Sequence, residues 1–197
     1  MVKVIAITLL GLGLSEAASG TTYTYVGPNY NSFAGSPYTT AMSVTGTFNT
    51  TTPLPANMPS THIALDGSDF ATPLVTTWSF SDGVNTLTQA NSSPYSFVVA
   101  TDNKGNIASF AISLQSPQPP HTIGELINNI NIDLPAVFGT LVFNAATCTA
   151  FFLGTNVCSS LGPTTQTARS TGSGAFTPNF AAVPPTVING LQRRLSR

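Results

Sequence analysis

Apolar and polar residues alternate with a period of two along much of the chain, the mark of strands with one face buried. In residues 41–49, Met42, Val44, Gly46 and Phe48 fall on one side; Ser43, Thr45, Thr47 and Asn49 fall on the other. Tyr23 and Tyr25 alternate with Thr, which predicts a strand over 21–30 ending at Gly27-Pro28-Asn29. Pro53, Pro55 and Pro59 mark a loop crossing an edge or an end of a sheet. Residues 74–81 form the next expected strand, with Trp78 and Phe80 on one face. Asp82-Gly83 breaks it before residues 84–88 resume, a hairpin signal because both turn residues tolerate positive φ. Tyr95, Phe97 and Val99 line another strand, residues 102–106 turn it, and Ala108, Phe110, Ile112 and Leu114 alternate back. After Pro117, Pro119 and Pro120 the pattern loosens. Residues 125–134 fit a strand or a short helical turn, while 137–144 and 150–153 read as strands. From Gly162 onward Thr, Ser, Gly and Pro dominate, so 163–197 reads as a loose tail with one strand near Ala175 and a basic end.

Beyond the N-terminus no stretch has helical amphipathic spacing. Short strands at about 10-residue intervals predict an all-β fold, an antiparallel β-sandwich of jelly-roll-like or related type, in one domain over 21–162. No fixed-period repeat points to a solenoid.

Composition narrows the class. Charged residues make up 7% of the 197 residues, against about 25% in soluble proteins generally. Six Lys and Arg are too few to displace the counterions of a nucleic acid. Ser, Thr, Asn and Gln number 69, of which 29 are Thr; with 9% aromatics this is a sheet composition rather than a disordered one.

Met1-Val2-Lys3, an uncharged apolar run from Val4 to Leu14 and a small, polar stretch from Ser15 to Gly20 have the layout of a secretory signal peptide over 1–20. Cleavage is expected after Ala17 or Gly20. The apolar run of 11 residues falls short of the roughly 20 that span a bilayer. The expected location is periplasmic, cell-surface or extracellular, with no membrane span in the mature chain. In an oxidising compartment Cys148 and Cys158 read as a disulfide. It closes a loop of 11 residues counting both cysteines, worth just under ~3 kcal/mol on the chain-entropy model. No His or third Cys stands close enough in sequence to suggest a metal site.

Three segments carry a resemblance. Tyr23-Thr-Tyr25 with Gly27, residues 33–39 and Val44-Thr-Gly with Phe48 form the first. Ser79-Phe-Ser-Asp-Gly-Val84 with Thr86 is the second, and Val99 to Ile107, with Thr101-Asp102 and Gly105-Asn106, is the third. Over about residues 21–115 the chain resembles a group of uncharacterised exported bacterial proteins, many with a PEP-CTERM sorting signal. The resemblance implies export and no particular activity. Val183-Pro184-Pro185 and Arg193-Arg194 with Arg197 look like the two ends of such a signal. The apolar span between them is reduced to Val187, Ile188 and Leu191, which argues for release rather than anchoring.

Candidate chemistry is sparse. His62, Asp66 and Asp69 stand together as a metal or acid–base cluster or, on the commoner reading, a solvated turn. Asp82-Gly83 and Asp102 to Asn106 offer hard oxygen ligands but match turn chemistry better than a calcium loop. His121 reads as a loop residue. Tyr23, Tyr25, Tyr30, Tyr38, Trp78 and Tyr95 suit a core more than a sugar-stacking face. No catalytic, cofactor or metal residue is assigned. The expectation is an exported, non-enzymatic β-sandwich protein of the cell surface or extracellular matrix, associated with polysaccharide. One rival is a hydrolase using Asp66, Asp69 or Glu125. Another is a self-assembling structural protein with a long exposed apolar edge.

Overall fold

The computed structural model describes residues 20–35, 37–64, 73–135 and 139–180. Among these it contains strands and turns and no helix. The strands are β1 (Thr21–Asn29), β2 (Ser32–Ala34), β3 (Ser43–Thr50), β4 (Thr61–His62), β5 (Val75–Ser81), β6 (Thr86–Thr88) and β7 (Ser93–Thr101). They continue with β8 (Ile107–Ser116), β9 (Leu126–Leu134), β10 (Thr140–Phe151), β11 (Cys158–Leu161), β12 (Gln166–Ser170) and β13 (Ala175–Phe180). A five-stranded sheet runs β13-β1-β3-β5-β6. An eight-stranded sheet runs β2-β12-β10-β9-β8-β7-β4, with β11 paired to β10. The two pack face to face as an antiparallel β-sandwich. The consecutive neighbours β7-β8-β9-β10 form a meander, unlike the wrapped order of a jelly roll.

The interior is aromatic. Tyr23 and Phe48 stack with ring centroids 4.8 Å apart, and Phe97 and Phe110 meet them and Tyr25 from the opposite sheet. Gly46 has no side chain because Phe80 fills its place: a Cβ there would lie 2.3 Å from the Phe80 ring. The aliphatic floor of the large sheet, including Ile112, Leu114, Ile130, Ile132 and Val142, closes the core.

The one strand expected near Ala175 is present as β13, while the loose tail expected around it from 163 is corrected by β12. β12 lies inside the large sheet between β2 and β10, and β13 forms an edge of the small one. Phe176 of β13 sits among Tyr25, Phe48, Phe80 and Phe110, 5.0 to 6.4 Å between centroids. A composition of Thr, Ser and Gly hides strands this short, because two or three buried side chains are enough to fix them. The basic end beyond 180 lies outside the described residues, as does the signal segment up to residue 19.

Other expectations changed in detail. Residues 126–134 are a strand rather than a helical turn. The strands expected separately at 137–144 and 150–153 merge into one long strand, β10, which ends at Phe151 and has a register shift between Phe143 and Ala146; Val137 and Phe138 lie outside the described residues. A register shift between Pro94 and Ser96 turns Tyr95 off the row of Phe97 and Val99, so Pro94 is buried in its stead. Another shift near the far end of the same pair leaves Ala108 exposed, off the row of Phe110, Ile112 and Leu114.

Candidate binding groove

β9 reads Leu-Ile-Asn-Asn-Ile-Asn-Ile-Asp-Leu. Ile130 and Ile132 belong to the main core. The alternation therefore sends Ile127, Asn129, Asn131 and Asp133 to the outer face of the large sheet. Strand register carries that polarity across the sheet. Ser96, Ser113, Asn131, Leu141 and Arg169 lie opposite one another on β7, β8, β9, β10 and β12. A neighbouring row runs His62, Val98, Ala111 and Asp133. Between them lies a groove of about 440 Å³, lined by Ser96, Ala111, Ser113, Asn131, Asp133, Gly139 and Leu141. That volume falls within the range of small-ligand sites.

The groove's polar side chains are held in place. Asn131 donates its amide to the Asn129 carbonyl and to the Leu141 backbone carbonyl. Buried Asn129 donates in turn to Ser113 Oγ at 3.2 Å and to the Leu114 carbonyl at 3.0 Å. At the other end Ser173 Oγ donates to the Asp133 backbone carbonyl, and the Asp133 N–H donates to Gly139. Behind the sheet the Tyr25 phenol is raised above its ordinary pKa, chiefly by burial, with the charge of Asp133 adding to the effect.

The disulfide hairpin lies on the same outer face, over Ile127 of β9. Cys148 and Cys158 are bonded, with Sγ–Sγ 2.17 Å. They bury Ile127 in a small second cluster backed by Phe151 and Leu161. Since Ile127 points away from the main core, this hairpin folds over the outer face. It reaches β8, where the Gln115 amide donates to the Cys158 carbonyl at 2.9 Å, and β7, where Phe152 meets the Tyr95 ring. His121 fastens it. Its Nδ1 accepts the Cys158 N–H at 2.9 Å, its Nε2 lies 2.9 Å from the Pro117 carbonyl, and its own N–H donates to Asn156. A ring that accepts at Nδ1 and donates at Nε2 is a single tautomer. His121 is thus a loop residue, as its two preceding prolines suggest, and a buried clamp as well.

The residues singled out from sequence are dispersed. His62 lies at the far end of the Asp133 row, and Asp66 and Asp69 lie outside the described residues. Glu125 Oε2 accepts the Thr122 N–H at 2.8 Å and closes a turn beside the hairpin. Asp82 and Asp102 spend an oxygen on the backbone of their own turns. Tyr23, Tyr25, Tyr30 and Tyr38 are buried, and Trp78 is half-buried with its Nε1 donating to Ser92. Among the described residues no three His, Cys, Asp or Glu side chains form a metal-binding group. Among the described residues no helix is long and apolar enough to cross a membrane. No family model, no curated protein and no solved structure matches this chain.

Sequence reading missed Asn129, Asn131 and Asp133. Their signal was the alternation with Ile130, Ile132 and Leu134, which a helical reading of the Ile spacing obscured.

Proposed function

We propose that this is an exported, non-enzymatic binding protein of the cell surface or extracellular matrix that holds neutral polysaccharide in the groove of its large sheet. The observation that carries this reading is the row Ser96–Ser113–Asn131–Leu141, three neutral hydrogen-bonding side chains and one apolar contact set at the strand spacing of roughly 4.8 Å. A chain of sugar hydroxyls laid across the strands meets the Ser96 and Ser113 hydroxyl oxygens and the side-chain carbonyl of Asn131, whose own N–H groups are already spent within the protein, with Ala111 and Leu141 under its ring carbons. Export rests on the signal-like N-terminus and accords with the Cys148–Cys158 bond.

The test is migration of the full chain through native gels cast with neutral glycans (a β-glucan, a dextran and a mannan in parallel). Retardation by at least one is expected, weakened about tenfold in the double variant Ser113→Ala/Asn131→Ala. No retardation by any of the three overturns the proposal. The triple variant Asp66→Asn/Asp69→Asn/Glu125→Gln separates it from the hydrolase rival: binding persists, and release of reducing ends from a glycan that these substitutions abolished would favour the rival.

A further inference from the structure

The outer face of the small sheet has a second array. Its rows follow from register: Thr177, Thr24, Thr47, Ser79 and Thr88 lie opposite one another on β13, β1, β3, β5 and β6. One flanking row is built alike, with Asn179, Thr22, Asn49 and Thr77; the other runs Ala175, Val26, Thr45, Ser81 and Thr86, with exposed Val26 as an apolar contact within it. None of the five strands contains an Asp, Glu, Lys, Arg or His. Solvent-facing sheets ordinarily carry charge, both for solubility and to discourage pairing. Here hydroxyls take its place, and side chains are braced against their neighbours: Thr22 Oγ1 donates to Asn49 at 2.6 Å, and Asn49 Nδ2 donates to Thr77 at 2.7 Å.

We infer that this face is a second glycan-holding surface, so that the sandwich joins two neutral polysaccharide chains, one on each outer face. The inference rests on the reading of the groove given above. Three features select the occupant. A surface without charge offers nothing to an anionic or cationic partner. A hydrogen bond exchanged with water nets only about 0.5–1.5 kcal/mol, so hydroxyls this dispersed hold only a ligand that repeats and meets many at once. The five-hydroxyl row spans roughly 19 Å at the strand spacing, near one hydroxyl per sugar residue of an extended glycan. A rigid lattice such as ice repeats too, but neighbouring strands rotate by about 20–25°. That twist carries the outer strands out of any plane, whereas a flexible chain follows it.

The full chain mixed with the soluble glycan that retards it should cross-link that glycan, raising light scattering to a maximum at intermediate protein-to-glycan ratio. Thr24→Val/Thr47→Val keeps shape and β-propensity while removing two hydroxyls. It should remain folded by circular dichroism, remain retarded through the groove, and scatter about tenfold less. Thr47→Lys, which places a charge in the middle of the face, should do the same. If wild type is retarded without cross-linking, or if both variants cross-link as wild type does, the second surface is overturned and the groove reading stands. If no glycan retards the wild type, the groove reading fails and this inference fails with it. Ice recrystallisation inhibited by wild type and not by Thr24→Val/Thr47→Val would assign the face to ice and overturn the glycan reading.

Discussion

Two turns of this sandwich are built on the same local chemistry and are used in opposite ways. At Asp82 the carboxylate Oδ1 accepts the N–H groups of Val84 and Asn85 at 2.8 and 2.6 Å. At Asp102 the Oδ1 accepts those of Lys104 and Asn106 at 2.8 and 2.9 Å. Each turn has a following glycine with positive φ, Gly83 at 90° and Gly105 at 82°. The difference lies in what covers them. Asp82 is 1% exposed. Tyr38 donates to its Oδ2 at 2.7 Å, and Tyr30 donates to its backbone carbonyl at 2.9 Å. Those tyrosines flank β2, the short strand by which the chain leaves the small sheet, joins the edge of the large one and returns. Asp82 therefore anchors a crossover between sheets. Asp102 instead has Asn106 on its Oδ2 and the Asn57 N–H on its backbone carbonyl. A local motif specifies a turn; only burial makes it a keystone.

The sharpest way to break this comparison is to remove each carboxylate. Asp82→Ala strands the buried Tyr38 hydroxyl and leaves the Val84 and Asn85 N–H groups of the turn without their acceptor. A loss of about 3 kcal/mol is expected, read as a melting temperature lower by roughly 6–12 °C. A loss no larger than that of Asp102→Ala would remove the distinction. Next in size is Tyr38→Phe, which leaves a buried carboxylate oxygen without its donor at a cost of about 2 kcal/mol in urea unfolding. Burial, reinforced by the hydrogen bond and charge of Asp82, pushes the Tyr38 phenol well above its usual range, so it remains a neutral donor through ordinary alkaline conditions. A Tyr38→Phe protein as stable as wild type would mean the crossover is held by packing alone.

The smallest effect is expected at Asp102, where Asp102→Asn should cost less than either. Its carboxyl is held below the ordinary value of 3.8, first by the Asn106 side chain and then by the Lys104 N–H. A carboxyl whose pKa is lower folded than unfolded adds stability above the unfolded value, and loses it as pH falls through the folded one. The gap in melting temperature between wild type and Asp102→Asn should thus be full near neutrality and close below pH 3.8. A gap that persists unchanged into acid would show that the turn depends on shape and not on charge.

Much of the fold was legible in the alternation itself. Val44 and Phe48 on one face, and Thr45 and Thr47 on the other, define β3 without any neighbour. The Asp-Asn-Lys-Gly-Asn turn and the pattern after it define the β7–β8 hairpin. The cysteine pair was legible from spacing and compartment, and the bond is present. What escaped were elements whose pattern is too short or too polar to stand above background. β12 looks like tail until Ala168 finds the core, and the strand expected near Ala175 shows its place only once Phe176 does. Asn131, in a segment that fits a strand or a helical turn, has no visible role until strand register sets it beside Ser113 and Leu141.

The sequence by itself determined the period of two, the turn residues and the nearly chargeless composition, because each follows from local stereochemistry and from counting. Tertiary structure alone decided which polar faces stand opposite one another, which aspartate is buried and where the disulfide hairpin lies. Those depend on pairings between residues far apart in the chain. A strand's own alternation says which residues share a face, but not which strand will lie beside it.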